Sequence, residues 1–215
     1  MGDGAVTILF DLDGTLIDST EAILESFHRA FAAVRDDVPE DAAITALIGH
    51  PLDVMFAELG VAESCVWDYV ARYKEHYRAI SKQKTVMLPH AVEAIEHAAR
   101  FATLGVVTTK TARYSKELLT HFGVMHRFAA LIGREDVTHP KPHPEPIEKA
   151  IAAIGGDRST YWMIGDTTMD IEAANAAKIA SIAVCCGYAS KEELSGVCDI
   201  VVDDAKAAVA YLADV

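Results

Sequence analysis

The first apolar run of the chain, Val6-Thr7-Ile8-Leu9-Phe10, is nearly continuous rather than alternating, which predicts a strand buried on both faces. It stops at Asp11-Leu12-Asp13-Gly14-Thr15. From about Asp18 to Lys84 the pattern takes the period of a helix. Asp18 and Glu21 have the spacing of a capping box, and Ile23, Phe27, Ala30, Phe31 and Val34 recur on one face. Asp37-Val38-Pro39 breaks that run. Two shorter helical pieces follow, separated by Gly49-His50-Pro51, and then a longer helix carries Val66, Tyr69, Val70, Tyr73, Tyr77 and Ile80 on one face. No strand-like run interrupts this stretch, so it predicts a small helical bundle.

From Val86 onward the text alternates. Helical segments around Ala91–Phe101 and Ala112–Phe122 lead into apolar runs at Leu104–Thr108 and Phe128–Ile132, and further runs occur at Tyr161–Ile164, Ser181–Cys185 and Asp199–Val202. Strands separated by helices imply a parallel sheet covered on both faces, an α/β doubly wound fold. The opening strand has no partner nearby and must join this later sheet. The expected organisation is therefore a core of residues 1–17 and 86–215, with residues 18–85 inserted as a helical domain.

Composition narrows the function. The 215 residues carry 19 basic against 32 acidic side chains, a net charge of -13, with no dense basic cluster. Phosphate backbones are held by Lys/Arg surfaces, so nucleic acid is not the expected partner. No apolar run approaches the ~20 residues that span a bilayer, so no membrane association is expected and the expected location is the cytoplasm. Cys185 and Cys186 adjoin on an apolar run and read as reduced core residues.

The chemistry gathers where the strands end. In open parallel sheets ligands bind outside the carboxyl ends of the strands, and polar residues close four of the runs here. Asp11 and Asp13 end the first, Thr108 and Thr109 the second, Lys141 lies in the loop after the third, and Gly165-Asp166 ends the fourth. Two carboxylates spaced i, i+2 at a buried strand tip repel each other, and a divalent cation would relieve that cost. The same tip then offers an ionised oxygen nucleophile and a second carboxyl able to move a proton. Lys141 lies among Pro140, Pro142, Pro144 and Pro146, whose alternate spacing predicts a stiff, extended loop that aims its ammonium.

Asp11-Leu12-Asp13-Gly14-Thr15, Thr108, Lys141 within Lys141-Pro142-His143-Pro144-Glu145-Pro146, and Gly165-Asp166-Thr167-Thr168-Met169-Asp170 resemble, in that order, motifs I to IV of the haloacid dehalogenase-like superfamily in its phosphatase form. The resemblance covers nearly the whole chain. It implies that Asp11 attacks phosphorus, that Asp13 protonates the leaving oxygen and later activates water, and that Thr108 and Lys141 bind the phosphoryl oxygens. It implies Mg²⁺ held by the Asp11 carboxylate, the Asp13 backbone carbonyl and Asp166. Asp170 is a metal ligand, an orienter of waters outside the first ligand sphere, or the cap of the helix at Ile171; the second role is the one expected. Thr109 stands where many relatives carry Asn or Ser, and is expected to touch the substrate. Haloalkanoate dehalogenases lack the second motif I aspartate, so Asp13 points to a phosphate ester.

The insertion just after motif I resembles the helical C1-type cap of phosphoglycolate phosphatases, pyrophosphatases and β-phosphoglucomutase. Within it, Leu47-Ile48-Gly49-His50-Pro51-Leu52 looks like a cap loop that meets the non-phosphate end of the substrate, with His50 as the candidate contact, the other reading being a plain turn. His139 and His143 read as exposed loop residues. The expected partner is a small phosphorylated metabolite, and the expected state of the protein is a monomer or homodimer. Among substrates 2-phosphoglycolate leads, followed by inorganic pyrophosphate and a nucleoside monophosphate; a phosphomutase and a non-catalytic phospho-ligand sensor are the more distant readings.

Overall fold

The computed structural model describes residues 6–34 and 37–214. In chain order its first elements are β1 (Val6–Phe10), β2 (Ile17–Asp18), α1 (Thr20–Ala32), α2 (Asp41–Thr45), α3 (Leu52–Glu58), α4 (Val66–Ile80) and β3 (Val86–Met87). There follow α5 (Ala91–Ala98), β4 (Ala102–Val107), α6 (Ala112–His121), β5 (Phe128–Ile132), α7 (Glu145–Ile154) and β6 (Tyr161–Gly165). The chain closes with α8 (Thr168–Ala177), β7 (Ala180–Val184), α9 (Lys191–Ser195), β8 (Val201–Val202) and α10 (Ala205–Ala213). Two compact units emerge, one of Met1–Ile17 with Met87–Val215 and one of Asp18–Val86. No helix among the described residues is long and apolar enough to cross a membrane.

The first unit is built on a six-stranded sheet in the order β5-β4-β1-β6-β7-β8, parallel at every pairing. β1 is central, and its near-continuous apolar text follows from burial on both sides. Ile8 and Phe10 join a cluster with Leu104, Val106, Ile164 and the helices α5 and α10, whereas Leu9 faces Val107, Tyr161 and Met163 beneath α7 and α8. The chain lays β4 and β5 on one side of β1 before crossing to β6, β7 and β8 on the other, so the strand order reverses at β1. A crevice at the carboxyl ends is the geometric result.

The second unit is helical. Its interior is a cluster of rings: Phe27 lies 4.5 Å from Phe56 and 5.0 Å from Tyr73, Phe31 lies 5.1 Å from Tyr69, and Tyr73 stacks on Tyr77 at 5.5 Å. All but Phe56, which α3 contributes, are residues the helical period selects on α1 and α4. Val34 is the exception: α1 ends at Ala32, and Val34 is 49% exposed.

Two local expectations are corrected. Asp18 and Glu21 form no capping box. Asp18 Oδ1 accepts from the Thr20 N–H at 2.9 Å, one residue too early, and Glu21 instead pairs with Lys84. The proline-rich segment is not extended. The His143 N–H donates to the Pro140 carbonyl at 3.0 Å, closing a turn around a cis Lys141–Pro142 peptide. The four cysteines are free; Cys185 and Cys186 are half-buried rather than core, and Cys65 is exposed.

Candidate active site

Sheet register brings the site residues level. Phe10 pairs with Val106 on one side and Ile164 on the other, so Asp11 stands beside Val107 and Gly165, and each neighbouring strand ends one residue later. Those next residues are Thr108 and Asp166. Backbone bonds continue the alignment past the strands: the Asp11 N–H donates to the Ile164 carbonyl and the Thr108 N–H to the Ile132 carbonyl, both at 2.9 Å. The loop after β1 folds back sharply, with Leu16 and Ile17 N–H groups donating to Leu12 O. Gly14 adopts a φ of 83°, and a Cβ there would strike the Asp166 carboxylate.

Lys141 reaches into this tip and is buried. Its ammonium donates to Asp11 Oδ1 at 2.8 Å, to Asp170 Oδ1 at 2.5 Å and to the Val107 carbonyl at 3.2 Å, which uses all three protons. Burial alone would depress its pKa; the adjacent charges of Asp11 and Asp170 outweigh that and hold it above the ordinary lysine value. Asp170 serves two partners at once. While Oδ1 meets Lys141, Oδ2 accepts from the Thr167 N–H at 3.0 Å and the Thr167 hydroxyl at 2.7 Å, forming the capping box of α8. Asp170 is thus the third residue of α8, whose N-cap is Thr167, and not the cap of a helix beginning at Ile171.

Asp166 is fully buried. The Thr15 hydroxyl donates to Oδ1 and the Tyr188 N–H to Oδ2, each at 2.9 Å. Burial, then the charges of Asp11 and Asp170, push its pKa well above the carboxylate range. Burial likewise lifts Asp11 to about 7 despite the neighbouring Lys141. The carboxylates of Asp11, Asp166 and Asp170 present oxygens within 4.8 Å of one another. Such a set is short of positive charge, and its hard oxygen donors suit Mg²⁺. The residues fit a divalent cation.

Thr108 is buried, and its Oγ1 accepts from the Lys110 N–H at 3.1 Å, which leaves the hydroxyl proton to donate elsewhere. Thr109 follows in the same bend, half-buried. Asp13 and Lys110 make a near-buried ion pair, Nζ to Oδ2 at 2.9 Å, with side chains only 12% and 9% exposed. Sequence reasoning assigned no role to Lys110, Thr15 or Tyr188; for Lys110 the signal was its place two residues after Thr108.

His139 and His143 brace the turn around Lys141. His139 Nδ1 lies 3.0 Å from Glu145 Oε2, and His143 Nδ1 accepts from the Glu145 N–H at 3.1 Å. Backbone bonds from Thr138 and His139 hold the Glu145 carboxyl down at about 2. His50 belongs to the other unit. It sits in the turn between α2 and α3, its N–H donating to Leu47 O at 3.1 Å, after a Gly49 whose φ of 110° few other residues adopt.

Comparison with known proteins adds to this geometry. The family profile described as haloacid dehalogenase-like hydrolase matches residues 8–184. A phosphoglycolate phosphatase of Mesorhizobium japonicum is 31% identical over 194 residues, covering 86% of this chain and 84% of the relative. A pyrophosphatase, PpaX, of Halalkalibacterium halodurans is 33% identical over 189 residues, covering 87% and 86%. A crystal structure of a haloacid dehalogenase-like hydrolase from Bacteroides fragilis superposes with a TM-score of 0.90 at 25% identity, covering 95% of this chain and 99% of that one.

Proposed function

The chain belongs to the haloacid dehalogenase-like hydrolase family and is a phosphatase of the phosphoglycolate phosphatase type, and we propose that it is Mg²⁺-dependent, works through an aspartyl-phosphate on Asp11 and acts on 2-phosphoglycolate. The observation that carries the chemistry is the shared ammonium of Lys141, held by Asp11 and Asp170 beside Asp166 at adjoining strand tips.

Asp11 Oδ attacks phosphorus, the bond to the leaving oxygen breaks, and Asp13 gives that oxygen its proton. Water then loses a proton to Asp13 and attacks the same phosphorus, and the bond to Asp11 breaks to release phosphate. Lys141 and the Thr108 hydroxyl face the oxygens on which charge develops. Thr109 stands beside them as a further donor. Asp11 and Asp166, with the Asp13 carbonyl, would hold Mg²⁺, which when bound screens the repulsion between the anionic nucleophile and the phosphoryl group. Asp170 fixes Lys141, so its role is to position that ammonium.

Substrate assignment rests on likeness: relatives include a phosphoglycolate phosphatase and a pyrophosphatase. The test is a release assay over a panel of phosphate esters, pyrophosphate and a nucleoside monophosphate, with Mg²⁺ and with chelator. The expected result is stoichiometric free phosphate, fastest from 2-phosphoglycolate and abolished by chelation. Transfer of the phosphoryl group to a sugar without release would make the protein a mutase, and turnover that survives chelation would remove the metal from the reading.

A further inference from the structure

Lys110 pairs with Asp13, and the proposed phosphoryl chemistry gives its ammonium no part. Its backbone is pinned, since its N–H donates to Thr108 Oγ1 and its carbonyl accepts from the Arg134 N–H at 3.0 Å. The bend therefore holds the side chain over Asp13 from a fixed base. Nζ lies 2.9 Å from the Asp13 carboxyl, with both side chains nearly buried, in a chain whose net charge is -13. Lys141 is deeply buried and held by Asp11, Asp170 and the Val107 carbonyl, so its ammonium stays fixed at the phosphoryl site and does not reach out to a second anionic group.

We propose that Lys110 is a specificity residue that recognises a second anionic group, a carboxylate or phosphoryl carried one or two bonds beyond the leaving oxygen. This rests on the reading of Asp13 as the acid that protonates that oxygen. A general acid must stand within about 3 Å of the atom it protonates. Lys110 touches the same carboxyl, so whatever hangs from the leaving oxygen arrives beside its ammonium. A carboxymethyl or phosphoryl leaving group presents a full charge there; an alkyl or nucleoside group presents carbon. The favoured substrate class is thus a compact dianionic or trianionic phosphate ester or anhydride, and nucleoside monophosphates are disfavoured.

The test compares 2-phosphoglycolate with its carboxyl methyl ester, which has the same phosphate ester bond and no second charge. In the wild-type protein kcat/KM should favour the free acid by about ten- to a hundredfold, the worth of one charge-assisted hydrogen bond. Lys110→Met should collapse that preference toward unity, mostly through KM for the acid, and Lys110→Arg should keep part of it. A wild-type preference near one overturns the proposal without any variant. An equal loss on both esters in Lys110→Met overturns it too, because Lys110 would then act only through Asp13. Failure of the underlying reading looks different: Asp13→Asn would slow an alkyl phosphate and p-nitrophenyl phosphate by the same factor, and the proposal would fall with it.

Discussion

The two units bury opposite kinds of material. The α/β unit encloses Asp11, Asp166, Asp170 and Lys141 at the end of its sheet, each tied to a named partner. The helical unit encloses rings, with Phe27, Phe31, Phe56, Tyr69, Tyr73 and Tyr77 packed edge and face. Ring packing tolerates many sequences of similar volume, whereas buried ionised groups are costly unless every partner is present. The difference teaches where chemistry resides: both units cohere through apolar interiors, and the α/β unit alone adds a buried cluster of charged groups at the end of its sheet.

Substitution should separate the two most sharply at Asp11. Asp11→Asn keeps shape and removes the anionic oxygen, so phosphate release should fall at least about a thousandfold, while the urea midpoint holds or rises. More than a tenth of wild-type turnover would sink the nucleophile assignment. Phe56→Ala should do the reverse. It opens a cavity among four rings and should cost about 3–5 kcal/mol by urea denaturation, leaving the strand-tip ion pairs untouched. A loss below about 1 kcal/mol would mean the cluster can close around the gap.

Asp13→Asn sharpens the picture within the α/β unit. An alkyl phosphate should lose about a hundredfold or more in turnover, the usual scale of general acid catalysis, and p-nitrophenyl phosphate far less, because its leaving oxygen scarcely needs a proton. Equal losses would reduce Asp13 to a structural role. The smallest effect is expected from the helical unit at His50. The sequence expectation of a substrate contact is that His50→Ala lowers kcat/KM for the carboxylate-bearing substrate about ten- to a hundredfold and spares acetyl phosphate. A uniform loss would mark His50 as a residue of the Gly49–Pro51 turn.

The sheet and the polar residues at its strand tips were legible because they are local: an apolar run followed by Asp, Thr or Gly-Asp is visible within six residues. What escaped is what the chain closes over distance. Thr15 and Asp166 meet across 151 positions, and Lys110 meets Asp13 only because β4 lies beside β1. The same cause misled the reading at Glu21, whose carboxylate a lysine 63 residues away takes from the expected cap. Spacing could not show that Asp170 holds Lys141 through one oxygen and Thr167 through the other, because α8 begins at Thr168 and not at Ile171.

Asp166 sits in a socket whose walls are main chain. Added side chains at Gly14 or Gly187 would collide with its carboxylate, and one at Gly165 would collide with Asp170. Descent with modification therefore has little to work on there, because almost any replacement is a steric loss before it is a novelty. A side chain such as Lys110, which meets no part of that socket's main-chain wall in these contacts, is under no such steric bar.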